Sequence, residues 1–258
     1  MVLVIDVGNS HTVLGLYEGE SLVHHWRIVT DGHRTADELH VLWAALLHQA
    51  LIDPERIRGC CVSSVVPPLN GAVEQAVRQA FGVEPLFVGP GVKTGLVIQV
   101  ENPKEVGADR IVNAIGALEH GSGPFIIIDF GTATTFDAIS EKGEYRGGVI
   151  VPGIQISADA LFERCAKLPR VEISKPPNVI GRDTVSHIRS GLTYGYGDLV
   201  AGLVRRMAVE MKCNPTILAT GGFAELIAEV ADCIDQVDSF LSLRGLKAVY
   251  CKNTKESA

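Results

Sequence analysis

Phe125-Ile-Ile-Ile-Asp129-Phe-Gly131-Thr132-Ala-Thr134-Thr135-Phe-Asp137 is an apolar run that delivers a carboxylate, then a glycine, then a cluster of hydroxyls. Such a run bounded by glycine suits a strand buried on both faces, and it also suits a buried helix segment, because pattern alone does not separate them. Gly131 admits backbone angles closed to other residues and lets a ligand approach the main chain. Amide N–H groups and threonine hydroxyls around such a turn make a cradle for phosphate, with Asp129 placed to hold a cation. An ordinary buried strand entering a hairpin accounts for the same residues.

The pattern occurs twice. Val2-Leu-Val-Ile-Asp6-Val7-Gly8-Asn9-Ser10-His11-Thr12 is again an apolar run, Asp, one apolar residue, Gly, then polar side chains. Asp6 and Asp129 are each followed two residues later by Gly and six residues later by Thr. Each copy then meets a second turn signal, Tyr17-Glu-Gly-Glu20 and Glu141-Lys-Gly-Glu144. A separation of 123 residues is one domain length, so the repeat is a duplication and not a solenoid array. Two strand–turn–strand units with matched carboxylates and hydroxyls point to two similar domains that serve one nucleotide.

A chain of 258 residues forms one large domain or two of about 120–140, each able to bury a core. The hydrophobic content of 47% predicts a compact chain without long low-complexity tracts. No apolar run approaches the ~20 residues that cross a bilayer. The N-terminus has no basic leader or small-residue cleavage site, so the expectation is a cytoplasmic protein without membrane contact. A net charge of −7 opposes nonspecific nucleic-acid binding, so an anionic substrate requires local donors or metal ions. Cys60, Cys61, Cys165, Cys213, Cys233 and Cys251 form no C-x-x-C pair and are expected to be buried free thiols. Neither H-E-x-x-H nor G-x-S-x-G occurs.

In chain order, Thr35-Ala-Asp-Glu38 is a capping box, and Leu39, Leu42, Trp43, Leu46 and Leu47 follow at helical spacing. His40 and His48 fall on the solvent side of that helix. Ile57–Val66 is predicted to be a strand that stops at Pro67-Pro68, with a helix over Val73–Phe81 and a further strand over Pro85–Val88. This alternation predicts an α/β protein. Gly89-Pro-Gly-Val-Lys93-Thr94 is not a Walker A loop, because Val92 precedes the lysine and Leu96–Val100 reads as a strand. No G-x-G-x-x-G occurs.

Asn102-Pro-Lys-Glu-Val-Gly107-Ala108-Asp109-Arg110 precedes a helix continued by Ile111, Ala114, Ile115 and Leu118. Asp109 at that helix start is either a cap or a chemical group. In the chemical reading Gly107 admits a ligand, Arg110 pairs with a carboxylate and Asp109 accepts a hydroxyl proton. Further on, a helix is expected over Ile156–Ala166. Thr184 and Asp183 compete to cap the next helix, whose Ser190, Gly191, Gly195 and Gly197 permit close helix approach. Thr216–Thr220 reads as a strand ending at Gly221-Gly222, followed by a helix from Glu225.

The two Asp-x-Gly turns and the late Thr-Gly-Gly turn resemble the actin-like/sugar-kinase/heat-shock-ATPase superfamily. More closely, the sequence resembles the type III pantothenate kinases. The matching stretches are Asp6–Asn9, Asn102–Arg110, Asp129–Thr134, Gly147–Gly153, Leu168–Arg170 and Gly181–Thr184. The resemblance implies two duplicated ribonuclease-H-like domains, roughly 1–117 and 118–258, around an interdomain cleft, in a homodimer. It implies ATP-dependent phosphorylation of pantothenate, the first step towards coenzyme A. By residue, it implies that Asp6, Val7, Gly8, Asn9, Ser10, His11, Thr12 and Val13 wrap the ATP phosphates, with Asp6 near Mg²⁺ and Thr132 making a further phosphate contact. Asp129 would hold a monovalent cation, K⁺ or NH₄⁺. Gly107, Ala108, Asp109 and Arg110 would bind pantothenate, with Asp109 the general base and Thr184 reaching in from the partner subunit.

Two positions depart from the family pattern: Ser10 replaces a usual threonine, and Val100 replaces a usual pantothenate-contacting tyrosine. Two readings compete with this one. The first is a noncatalytic homologue like the accessory transcription factors related to the family, and the second is an actin-like kinase for another small hydroxyl substrate. Asp6, Asp109, Asp129 and Thr184 occurring together argue against a regulator, which needs no base.

Overall fold

The computed structural model describes residues 1–254. The chain divides into two compact units, one comprising Met1–Leu96, Asn102–His120 and the segment from Leu241, the other Val97–Glu101 and Gly121–Phe240. They are therefore not the two consecutive stretches 1–117 and 118–258. The last helix returns to the first unit, and a short segment before the Asn102 motif joins the second.

The first unit holds strands β1 (Val2–Val7), β2 (His11–Glu18), β3 (Ser21–Val29), β4 (Gly59–Ser64) and β5 (Pro85–Phe87) in the order β3-β2-β1-β4-β5. β1, β2 and β3 form an antiparallel meander, while β4 and β5 run parallel to β1. Leu3, Ile5 and Val7 point towards helices α1 (Ala36–Gln49) and α2 (Asn70–Phe81), burying Leu39, Trp43, Val73 and Val77 in one cluster. The opposite face, with Val4, carries α3 (Ala108–Leu118) and the C-terminal helix. Helices on both faces explain why β1 is apolar at consecutive positions and does not alternate. Thr35 caps α1 through the expected reciprocal box with Glu38. His48 on that helix is exposed and His40 half-buried.

The second unit repeats the plan. Its strands are β6 (Val97–Ile98), β7 (Phe125–Phe130), β8 (Ala133–Ile139), β9 (Glu144–Pro152), β10 (Thr216–Gly221) and β11 (Gln236–Val237). Their order is β11-β10-β7-β8-β9-β6. Again there is an antiparallel meander, β7-β8-β9, with two strands parallel to its first member and one extra edge strand. This is the ribonuclease-H-like arrangement, present twice. Phe125–Phe130 is thus a central strand and not a helix segment. Ile126, Ile128 and Phe130 pack with residues of α4 (Ile154–Arg164), α5 (Thr184–Met211) and α6 (Ala224–Ala228). The second turn signals close the β2–β3 and β8–β9 hairpins, with Gly19 and Gly143 at φ values of +60 and +74°.

Several boundaries differ from expectation. Leu96–Val100 yields only the two residues of β6, Ile57–Val66 only the six of β4, and α4 starts two residues early. Asp183, not Thr184, caps α5, in a box with Ser186. Among the small residues of α5, Gly197 packs against Val230, whereas Gly191 and Gly195 face open space. The cysteines are free, but only Cys60 and Cys61 are buried and Cys165 is exposed. The final helix, α7 (Leu241–Thr254), lies against α3. There a side chain on Gly245 would collide with the Val112 carbonyl, and one on Gly116 with that of Leu241. Among the described residues no helix is long and apolar enough to cross a membrane.

Candidate active site

In the first unit the β1–β2 turn is closed by the Gly8 amide, which donates to the His11 carbonyl at 3.1 Å. Asn9, Ser10 and His11 are exposed at its tip, and Val13 is half-buried. Thr12 is buried, and its hydroxyl lies 2.8 Å from that of Thr30. Ser10, and not Thr12, is therefore the hydroxyl that this turn presents outwards. Asp6 sits just before the turn, paired in register with Val13 on β2 and Ser63 on β4.

The first turn of α3 brings the second carboxylate. Gly107 is its N-cap and makes no side-chain cap. A Cβ on Gly107 would collide with Asp109 Oδ1, so the glycine leaves the space that the carboxylate folds back into. Asp109 accepts a hydrogen bond from the Arg110 amide at 2.8 Å, which is cap-like, yet Asp109 also faces Asp6. Asp109 thus serves a first-turn amide without being the residue that caps the helix.

The electrostatics link these groups. Burial pushes the Asp6 pKa up to about 6, and the charge of Asp109 adds to the rise. The hydroxyls of Ser242 and Ser63 beside it act in the opposite direction. Burial also raises Asp109, against the pull of the Arg110 amide and guanidinium. Two like charges on neighbouring half-buried carboxylates favour whatever neutralises them, a proton or a cation. Among the described residues no group of three or more His, Cys, Asp or Glu is placed to hold a metal. One or two carboxylates completed by substrate phosphates is the donor set that suits Mg²⁺, and Asp6 is a carboxylate of that kind.

The second unit holds the other predicted residues. Asp129 is half-buried near the end of β7, and Thr132 is exposed in the β7–β8 turn. Gly221, at φ +95°, lies against Asp129; a Cβ there would sit 2.7 Å from Oδ1 and 2.6 Å from the Phe130 amide nitrogen. Gly153 backs onto the Thr132 carbonyl with no room for a side chain. Glycines therefore pack closely against Asp129 and the turn. Of the three clustered threonines only Thr132 is exposed; Thr134 is fully buried and its hydroxyl makes no hydrogen bond.

Val100 follows β6, half-buried, with Gly147 beside it. Thr184 is exposed in the first turn of α5, on the rim of a cavity of about 420 Å³ lined also by Leu161, Leu168, His187 and Leu192. A cavity of about 590 Å³ beside the β8–β9 turn is lined by Gly147 but by none of the expected site residues. Asp6 and Asp109 thus come together within one unit, and Asp129 with Thr132 within the other. Sequence reasoning missed Ser63 and Ser242, whose serines at a strand end and a helix start carry no pattern of their own. Gly221 had a faint signal in the diglycine turn.

The family model described as type III pantothenate kinase matches residues 2–206. A type III pantothenate kinase of an Exiguobacterium species is 53% identical over 255 residues, covering 99% of this chain and 100% of that protein. One from an Anaeromyxobacter species is 55% identical over 253 residues, covering 98% of this chain and 100% of that protein. Among solved structures, a protein described as a Baf family transcriptional activator from Campylobacter jejuni superposes with a TM-score of 0.63 at 18% identity, covering 98% of this chain and 99% of that one. Component A of (R)-2-hydroxyglutaryl-CoA dehydratase from Acidaminococcus fermentans gives 0.58 at 14% identity, over 99% and 98%. At these identities the structural likenesses speak to the fold alone.

Proposed function

The chain belongs to the type III pantothenate kinase family, and from that premise we propose that it transfers the γ-phosphoryl group of ATP to the primary hydroxyl of pantothenate, the first step of coenzyme A biosynthesis. The observation that carries the chemistry is the pairing of two half-buried carboxylates, Asp6 and Asp109, each pushed above its ordinary pKa.

Phosphoryl transfer needs an aligned nucleophile and neutralised oxygen charge more than covalent help from the protein. Asp109 takes the hydroxyl proton as the pantothenate oxygen bonds to the γ-phosphorus and the bond to the β-phosphate oxygen breaks, releasing ADP. A carboxylate kept above its ordinary pKa by burial is a better proton acceptor for this step. Arg110, next in the chain, pairs with the pantothenate carboxylate, and Gly107 and Ala108 line the approach. The turn from Asp6 to Val13 binds the ATP phosphates through its amides and the Ser10 hydroxyl, and Thr132 adds a contact.

Mg²⁺, when bound at Asp6, supplies charge neutralisation on the phosphates. Asp129, packed against glycines, holds K⁺ or NH₄⁺ in this reading. The partner subunit's Thr184 completes the pantothenate pocket of a homodimer. Supporting that arrangement, Val179 and Ile180 near Thr184 are 64% and 86% exposed, an apolar surface that suits burial against a second copy. The cytoplasm, where ATP is made available, is the compartment that fits.

A coupled ADP-release assay tests the reading, with pantothenate set against a panel of small hydroxyl compounds and K⁺ or NH₄⁺ exchanged for Na⁺. Pantothenate-dependent turnover is expected. Turnover with another hydroxyl substrate alone makes the chain a different actin-like kinase, and no turnover with any makes it a noncatalytic homologue.

A further inference from the structure

We propose that Thr30 is a positioning residue for the nucleotide: it latches the β1–β2 turn so that amides of that turn face the phosphates. The inference deepens the kinase reading and rests on it. Thr30 lies just past β3, where the β2–β3 ladder ends at the His11–Val29 pair. It nevertheless reaches the turn twice. Its amide donates to the Ser10 carbonyl at 3.0 Å, and its hydroxyl lies 2.8 Å from that of Thr12. The Ser10–His11 peptide is trans, so its C=O and N–H point in opposite directions. Holding the Ser10 carbonyl towards Thr30 therefore turns the His11 N–H away from β3, towards the mouth of the turn. There the Gly8 amide bonds the His11 carbonyl at 3.1 Å and closes the hairpin.

Thr12 supplies the inner half of the latch. It is 3% exposed and shares a register row with Val7 and Ile28, two residues of the first apolar cluster and its margin. A hydroxyl in such surroundings is costly unless bonded, and Thr30 is its partner. Thr30 is also held from its far side. Asp31 accepts from the His33 amide at 3.0 Å through its carboxylate and from the Arg34 amide at 3.2 Å through its carbonyl, and the cap of α1 follows at Thr35.

The second unit forms the same hairpin without this pair. Thr134 shares a row with Phe130 and Val151 as Thr12 does with Val7 and Ile28, so the two threonines are equivalent. The residue matching Thr30, two beyond the β9 partner, is Gly153. It has no hydroxyl, and the fully buried Thr134 hydroxyl makes no hydrogen bond. The first turn is also the longer, with four residues between Val7 and Thr12 against three between Phe130 and Thr134. A longer turn has more freedom to lose when it meets a phosphate, and a latch removes part of that freedom beforehand. The sheet does not need the hydroxyl pair; the turn that binds does.

The test is isothermal titration of the full-length protein with a non-hydrolysable ATP analogue and Mg²⁺, with steady-state kinetics and thermal melting alongside. Thr30→Val keeps the shape and the amide but loses the hydroxyl, and is expected to weaken the analogue about three- to tenfold, the range of one hydrogen bond. The pantothenate KM should stay within about twofold of wild type, because the effect is routed through the phosphate turn. Thr30→Ser keeps the hydroxyl and should restore nucleotide affinity. Combining Thr12→Val with Thr30→Val leaves no hydroxyl unpaired, so melting should return towards wild type. Nucleotide affinity in that double variant should stay low, because two methyl groups do not hold the turn in one direction. Equal affinities in the Thr30→Ser and Thr30→Val proteins overturn the proposal. Recovery of affinity together with stability in the double variant, or loss of the fold in both hydroxyl-free proteins, assigns the pair to stability and overturns it too. The titration needs no turnover. A wild-type protein that binds the analogue but does not phosphorylate pantothenate therefore defeats the kinase reading alone, and one that binds no analogue defeats both.

Discussion

Asp109 adds to a rise in the Asp6 pKa that burial begins: a half-buried carboxylate in the first turn of α3 and one near the end of β1 repel each other. The repulsion falls when a proton or a cation neutralises one of the two groups. The Arg110 amide and guanidinium favour the charged form of Asp109, while nearby hydroxyls favour that of Asp6.

Replacing Asp109 by Asn removes the proposed base while keeping the shape of the side chain. We expect kcat to fall about 10²- to 10⁴-fold, with nucleotide binding retained. Steady-state kinetics by coupled ADP release measure this; a near wild-type rate would remove Asp109 from the base role.

The pKa of Asp6 predicts a pH dependence of stability. Its folded value of about 6 lies above the ordinary 3.8, so the folded protein binds this proton more tightly than the unfolded chain. The contribution of Asp6 is then fully present below about 3.8 and is lost as pH rises through about 6. Asp6→Asn should therefore stabilise the apo protein at pH 8 relative to its effect at pH 4, by about 2 kcal/mol. Urea unfolding at the two pH values decides it; a shift of equal size at both contradicts the assignment.

Gly245→Ala drives a methyl group into the Val112 carbonyl at the α3–α7 crossing. The expected loss is about 1–3 kcal/mol, with reduced kcat because α3 carries Asp109. Gly191→Ala is the contrasting case: this helical glycine faces open space and should gain up to about 1 kcal/mol. Thermal melting of the two variants compares them directly.

Val100→Tyr should lower the pantothenate KM by about two- to tenfold with kcat little changed, the value of one restored hydrogen bond. A KM unchanged by this substitution would undermine the idea that Val100 marks a missing substrate contact.

Asp129→Asn should abolish the difference in rate between K⁺ or NH₄⁺ and Na⁺. Gly221→Ala should do the same, since its Cβ enters the space beside Asp129 Oδ1 and its φ of +95° strains any side chain. Initial rates in the three chloride salts at constant ionic strength provide the measurement.

The duplicated hairpins were readable from the residues because each signal is local: a buried run, Asp-x-Gly, then a second turn at Gly19 or Gly143. The first turn of α3 was readable for the same reason, as Gly107 to Arg110 are contiguous. What stayed hidden depends on distant partners. The seating of α7 on α3 depends on what Gly116 and Gly245 touch, and no periodicity reports that. Ser63 and Ser242 matter only because strand pairing and helix seating bring both to Asp6. Thr12 and Thr134 looked like phosphate hydroxyls, yet each lies on the inward side of its strand, and alternation outweighed composition. Asp183 took the cap from Thr184 because its carboxylate also engages Ser186.

Because α7 packs onto α3 while the whole second unit precedes it in the chain, synthesis on the ribosome imposes an order. The second unit has completely emerged before the helix that covers one face of the first sheet exists. The half of the molecule bearing Asp6 and Asp109 must therefore wait with that face covered by α3 alone, so a premature stop codon near residue 240 would cripple the earliest-made part of the polypeptide.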